Sequence, residues 1–237
     1  MSALLSVEGV SVSYWRGLHE TRVLEDVSFD LLSGELAAVW GRRSTGKSTL
    51  AFVAAGLLAP QAGRVVFDGT ELTNDRDQRL HAQIGLATRR GPEVEDLSIE
   101  TWIASTLLRD CGWREAKRRA VRALADVGAK GLGGMRWSQL SDSERMLAGL
   151  AQAIVRRPRL VIADDPVAGL DSTIDRAEIM ELLRGMAADG TTVLMMGSEL
   201  SELHGAHPIW TLDRGRLEGP PRRQATVVPL RRSGDGG

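Results

Sequence analysis

The stretch LAAVWGRRSTGKSTLAFVAAG (36–56) decides the fold. Five apolar residues run without a break into Gly41, a short polar loop closes on Lys47, and a second apolar run follows. The spacing from Gly41 to Gly46, Lys47 and Ser48 is G-x-x-x-x-G-K-[ST]. Glycines at these points let successive backbone N–H groups curl around phosphate oxygens. Lys47 then reaches the β and γ phosphates, and the Ser48 hydroxyl can ligate Mg²⁺. A helix opening near Lys47 would add its positive end to the site. The expected phosphate-binding set is Gly41, Arg42, Arg43, Ser44, Thr45, Gly46, Lys47, Ser48 and Thr49. Arg42 and Arg43 have three readings: added charge at the phosphates, a pairing with a partner's acidic loop, or two solvated surface arginines.

A second stretch, VIADDPVAGLD (161–171), sends an apolar strand into paired carboxylates. Alone it is equally well a strand-end turn capped by aspartates. Beside a phosphate loop, Asp164 is expected to hold the Mg²⁺ shell. Around these two landmarks the periodicity predicts strands at 4–14, within 22–40 about a Ser33-Gly34 turn, and at 64–69, 83–88, 160–164 and 191–196. Helices are expected from about Lys47 to before Pro60, over 98–128 with a break at 110–112, from near Ser141, and over 172–188. A hairpin should close the fold at 209–219. The stretch 90–149 is helical and reads as a subdomain inserted into a mostly parallel sheet. Residues 220–237, rich in Pro, Arg and Gly and without periodicity, are expected to be a disordered tail.

The composition narrows the function classes. The chain has 237 residues, a net charge of −1 and 43% hydrophobic residues, which suits a globular domain and gives no global attraction to nucleic acid or anionic lipid. Only Lys47, Lys117 and Lys130 are lysines among 30 basic residues, which makes the placement of Lys47 informative. One cysteine, Cys111, excludes an internal disulfide framework and fits a reducing cytoplasm. No apolar run approaches the ~20 residues of a spanning helix. A membrane role would therefore come through a partner.

With GRRSTGKSTL, GLLAPQAGRVVFDG, LSDSERMLAGLAQAIVRRPRLVIADDPVAGLD and IWTLDRGRLEG all in place, residues 4–219 resemble the nucleotide-binding subunits of ATP-binding cassette (ABC) transporters. The resemblance implies an α/β P-loop NTPase of the ABC ATPase type. Its mostly parallel core would carry an antiparallel β subdomain and an inserted helical subdomain (about 90–149), with residues 1–219 forming the domain. It implies ATP and Mg²⁺ as cofactors, head-to-tail pairing with a second ABC ATP-binding subunit, and a membrane permease partner. The chain would then sit in the cytoplasm, peripheral on the inner face of the membrane, with no nucleic-acid partner. Tyr14 falls where an aromatic stacks on adenine, with Trp15 as the rival stacker and a strand-end core aromatic as the plain alternative. Asp171 falls on the loop that bridges the two sites.

Four departures from the family pattern matter for chemistry. Arg89 stands where a glutamine contacts Mg²⁺ and water, and a guanidinium offers no lone pair. Asp165 replaces a glutamate one methylene longer, and a base displaced by about an ångström can lose on the order of a hundredfold in rate. Ser198 replaces a histidine at the γ-phosphate. The signature LSGGQ is LSDSE (140–144), in which Ser141 and Glu144 form a capping box and Asp142 and Glu144 add negative charge where phosphate should arrive. A swivelled helix in which Ser141 alone suffices is the milder reading. The sequence therefore suggests an ATP binder with weak hydrolysis, serving one side of a heteromeric transporter. The alternative is a regulatory, non-transporting module that switches a partner by ATP-gated docking.

Overall fold

The computed structural model describes residues 3–72, 78–93 and 96–220. Two long strands, β1 (Ala3–Arg16) and β2 (His19–Leu32), form an antiparallel hairpin, and β3 (Leu36–Trp40) leads into α1 (Lys47–Ala54). There follow β4 (Ala62–Phe67), β5 (Thr70–Glu71), a single turn α2 (Gln78–His81) and β6 (Ile84–Ala87). The helical stretch holds α3 (Ile99–Ser105), α4 (Trp113–Asp126) and α5 (Asp142–Ile154). The chain closes with β7 (Leu160–Asp164), α6 (Thr173–Ala188), β8 (Thr192–Gly197), β9 (Ile209–Asp213) and β10 (Arg216–Glu218).

The strands form two sheets. One is four-stranded and antiparallel in the order β2-β1-β4-β5; the other runs β10-β9-β3-β8-β7-β6 and is parallel except for β10. The central strands are buried on both faces, as a covered parallel sheet requires. Ala38, Ala163, Val193 and Met195 point into one apolar cluster with the helical stretch, while Ala37, Val39, Ile162, Leu194 and Met196 point into another with α1 and the antiparallel sheet. This alternation is the period of two that the sequence carries along each strand.

Sequence also explains the helices. Ala116, Ala120, Ala123 and Leu124 of α4 fall at helical spacing and are buried. Ser98, Ser141 and Ser172 each cap a helix, accepting from the backbone N–H three residues on. Helix α1 begins at Lys47 and ends at Ala54, and the break before α4 covers 106–112, both near the expected positions. The two-residue strand β5 and the turn α2 were not anticipated; each is too short to show a period. The expected disordered tail from 221 onward lies outside the described residues. Among the described residues no helix is long and apolar enough to cross a membrane.

Candidate functional site

Three strand ends build the site. Trp40 pairs with Gly197 and Asp164 with Met196, so β3, β7 and β8 finish side by side. Gly41 N–H donates to the Gly197 carbonyl at 3.1 Å, and Asp165 N–H donates to the Met196 carbonyl at 3.0 Å. Residues far apart in sequence thereby meet at the carboxyl edge of the sheet, where open α/β folds bind ligands. Gly46 caps α1 with φ 105°, a left-handed conformation, and a Cβ there would lie 2.8 Å from the Val23 carbonyl oxygen. A side chain is excluded at this point on both counts.

Lys47 is only 4% exposed. Its ammonium donates to the carbonyls of Gly41 (2.8 Å) and Arg42 (3.1 Å) and to Ser198 Oγ (3.1 Å), which occupies all three N–H bonds. Ser198 Oγ in turn donates to Asp165 Oδ1 at 2.9 Å, and Asp165 Oδ2 lies 3.5 Å from Lys47 Nζ. Asp165 has φ 48°, a left-handed conformation that aspartate tolerates better than most residues. The result is a closed ammonium–hydroxyl–carboxylate ring.

Asp164 differs. Its Oδ1 is buried and has no hydrogen-bond partner among the described residues. Burial pushes its carboxyl above the usual range; the Ser48 hydroxyl pulls it back, Asp165 pushes it up again, and Lys47 and Arg90 lower it. An orphaned carboxylate oxygen beside a hydroxyl is a hard-oxygen donor pair suited to Mg²⁺. Among the described residues no group of three or more His, Cys, Asp or Glu could hold a metal. The remaining ligands would have to be phosphate oxygens and water, as Mg²⁺ sites on nucleotides commonly have.

A cleft of about 480 Å³ is lined by Tyr14, Val23, Arg43, Ser44, Gly46, Lys47, Ser48, Thr49, Arg89, Asp165 and Ala168. Most of the expected site residues therefore share one cavity. Tyr14 is 48% exposed, with its hydroxyl 3.4 Å from Thr49 Oγ1, while Trp15 is 68% exposed and does not line the cleft. Tyr14 keeps the phase of Val10 and Val12 along β1, since the register shifts beside Val12 add residues to β2, but it lies past the buried part of the strand. Arg89 lines the cleft and makes no hydrogen bond or ion pair among the described residues. Thr45 Oγ1 donates to the Arg42 carbonyl, bracing the loop, and Arg42 and Arg43 are exposed.

Ser141 and Asp171 do not line this cleft. At the start of α5, Ser141 N–H donates to Glu144 Oε2 at 2.8 Å and Ser141 Oγ accepts from Glu144 N–H at 3.3 Å, completing the capping box. Asp142 is not a bare charge: Arg145 Nη1 lies 3.1 Å from its carboxylate. Two larger cavities, of about 1060 and 730 Å³, lie away from the phosphate loop, so size does not identify the site. Val23 and Ala168 in the cleft wall, and the effect of Arg90 on Asp164, carry no sequence signal of their own.

Residues 24–168 match the family model described as "ABC transporter". The chain is similar to the lipoprotein-releasing system ATP-binding protein LolD 2 of Rhodopirellula baltica, at 32% identity over 91% of this chain and 89% of the relative. It is 29% identical to the methionine import ATP-binding protein MetN 1 of Rhodococcus jostii, covering 90% of this chain but only 65% of that longer protein. The dimeric structure of MJ0796, a bacterial ABC transporter cassette, superposes with a TM-score of 0.80 at 23% identity, over 90% of this chain and 96% of that one.

Proposed function

Because this chain belongs to the ABC transporter ATP-binding family, we propose that it binds MgATP in the cleft at the carboxyl edge of its sheet and hydrolyses it slowly. It does so as one ATP-binding subunit of a heteromeric transporter, docked on a membrane permease. The observation that carries this reading is the contrast at one edge of the sheet, where β3, β6, β7 and β8 end. The binding groups Lys47, Ser48 and Asp164 are of family type, whereas Arg89, Asp165 and Ser198 replace the groups that position or activate water.

In this reading the phosphate loop and α1 cradle the β and γ phosphates, and Lys47 turns from its carbonyl partners toward them. Ser48 and Asp164 hold Mg²⁺, which supplies charge neutralisation at the phosphates. Tyr14 stacks on the adenine. Hydrolysis breaks the bond between the γ-phosphorus and its bridging oxygen, with Asp165 accepting a proton from the attacking water. Both of its oxygens are engaged beforehand, one by Ser198 and one facing Lys47. Arg89, unpaired among the described residues, brings a positive charge to the same cavity, which supports phosphate binding and gives water nothing to donate to. The capping box at Ser141 leaves the α5 end occupied, which weakens association with a partner's γ-phosphate.

Titration calorimetry of wild type and Lys47→Ala with MgATP tests the assignment. Binding should be lost in the variant; equal affinities would show that the cleft is not the nucleotide site. Purification from membranes, naming what accompanies the chain, separates a transporter subunit from a regulatory module.

A further inference from the structure

A groove of about 1060 Å³ lies between the end of α4, α5 and α6, opening at the edge where β7 and β8 begin. Ile154, Leu182 and Met186 line it, and Asp126, Glu178 and Asp189 stand on its exposed margins. These three carboxylates make no ion pair among the described residues. A fourth, Glu181, is paired with Arg184 at 2.6 Å, and Arg157 is the one basic residue among the lining residues. The groove therefore combines a partly apolar floor with a net negative rim.

We propose that residues 222–232 of this same chain, RRQATVVPLRR, occupy that groove. The segment matches it in both chemistries. Arg222, Arg223, Arg231 and Arg232 flank an apolar centre of Val227, Val228 and Leu230, and no acidic residue interrupts it. The route is also short enough. Strand β10 runs antiparallel to β9, and Gly219 lies against Ile209 and Trp210, so the chain leaves the sheet at the end where the parallel strands begin. Val161 and Thr191 place the groove at that same end. From β10 to β7 there are four strand spacings, β10-β9-β3-β8-β7, or about 19 Å at ~4.8 Å each. From Pro220 to Val228 an extended chain reaches about 26 Å. Because the groove walls come from the helical stretch on one side and α6 on the other, the seated segment ties the two together.

The test uses the full chain with a benzophenone amino acid in place of Val228. Irradiation at low salt should give crosslinks within one molecule, mapping to residues 178–189 or to Leu147 and Ile154. Neutralising the rim with Asp126→Asn, Glu178→Gln and Asp189→Asn should cut that yield about five-fold or more, since each exposed pair contributes modestly and the three act together. These side chains are exposed, and circular dichroism checks that the fold is unchanged. Crosslinks elsewhere on the chain, crosslinks to a second copy, no crosslink at all, or a yield indifferent to the triple change would each overturn the proposal. Sedimentation with phosphatidylserine vesicles that depends on Arg231 and Arg232, in protein that forms no groove crosslink, would make the segment a lipid contact instead.

Discussion

Lys47, Ser198 and Asp165 form a ring that no local sequence pattern announces, because Ser198 lies 151 residues from Lys47. The loop at 41–49 was legible as a candidate phosphate loop since its residues are contiguous and match a known spacing. The ring depends on β3 and β8 being neighbours. It has a thermodynamic effect: the Asp165 carboxylate competes with phosphate for the same ammonium. Asp165→Asn should therefore bind ATP more tightly while turning it over less, and calorimetry beside a phosphate-release assay reads both. Unchanged affinity would mean that the carboxylate moves aside freely. Isolated wild-type protein should hydrolyse ATP barely above background. Steady turnover of several per second that Asp164→Asn abolishes would contradict the weak-catalysis reading.

Helix α5 shows what an element adds. The sequence announces its capping box, and the structure adds that Arg145 pairs with Asp142, an i,i+3 contact that softens the negative end. Much of the remaining charge there resides on Glu144. Asp142→Gly, Ser143→Gly and Glu144→Gln together should strengthen ATP-dependent association with a partner cassette, measured by gel filtration on hydrolysis-deficient protein. No gain across a range of salt would clear the signature loop as the barrier. The same helix lies so close to β6 that a Cβ on Gly149 would collide with the Thr88 carbonyl, and one on Gly85 with that of Ala153. Gly149→Ala should cost about 1–3 kcal/mol in chemical unfolding, despite the better helix propensity of alanine. Sequence shows glycines at both places but not that the two backbones touch.

At the scale of the whole molecule, the second strand is bound to the last, β2 to β10 and the turn before it. Glu25 N–H donates to the Gly215 carbonyl at 2.8 Å, and Arg216 holds the Glu25 carboxylate at 3.1 Å, across 191 residues. The hydrogen bond and charge of Arg216 keep Glu25 below its ordinary 4.5. A carboxyl depressed in the folded state stabilises above its unfolded value and loses that contribution as pH falls through the folded one. The melting temperatures of wild type and Glu25→Gln should therefore converge in acid, below pH 4.5, and differ in favour of wild type near neutrality. Parallel pairing and the insertion of a helical stretch were readable from alternating periods along the chain. The division of the strands into two sheets was expected from the family resemblance alone, because an isolated strand carries no sign of its neighbour. The link between β2 and β10 also bears on synthesis. While a ribosome has yet to reach residue 216, β1 and β2 can already pair, but β2 lacks the tie that Gly215 and Arg216 supply. Tyr14 sits in that hairpin, and every phosphate-loop group has been made by then. The hairpin that carries Tyr14 should thus reach its final rigidity only when the last strand is made, later than the loop at 41–49 that faces it.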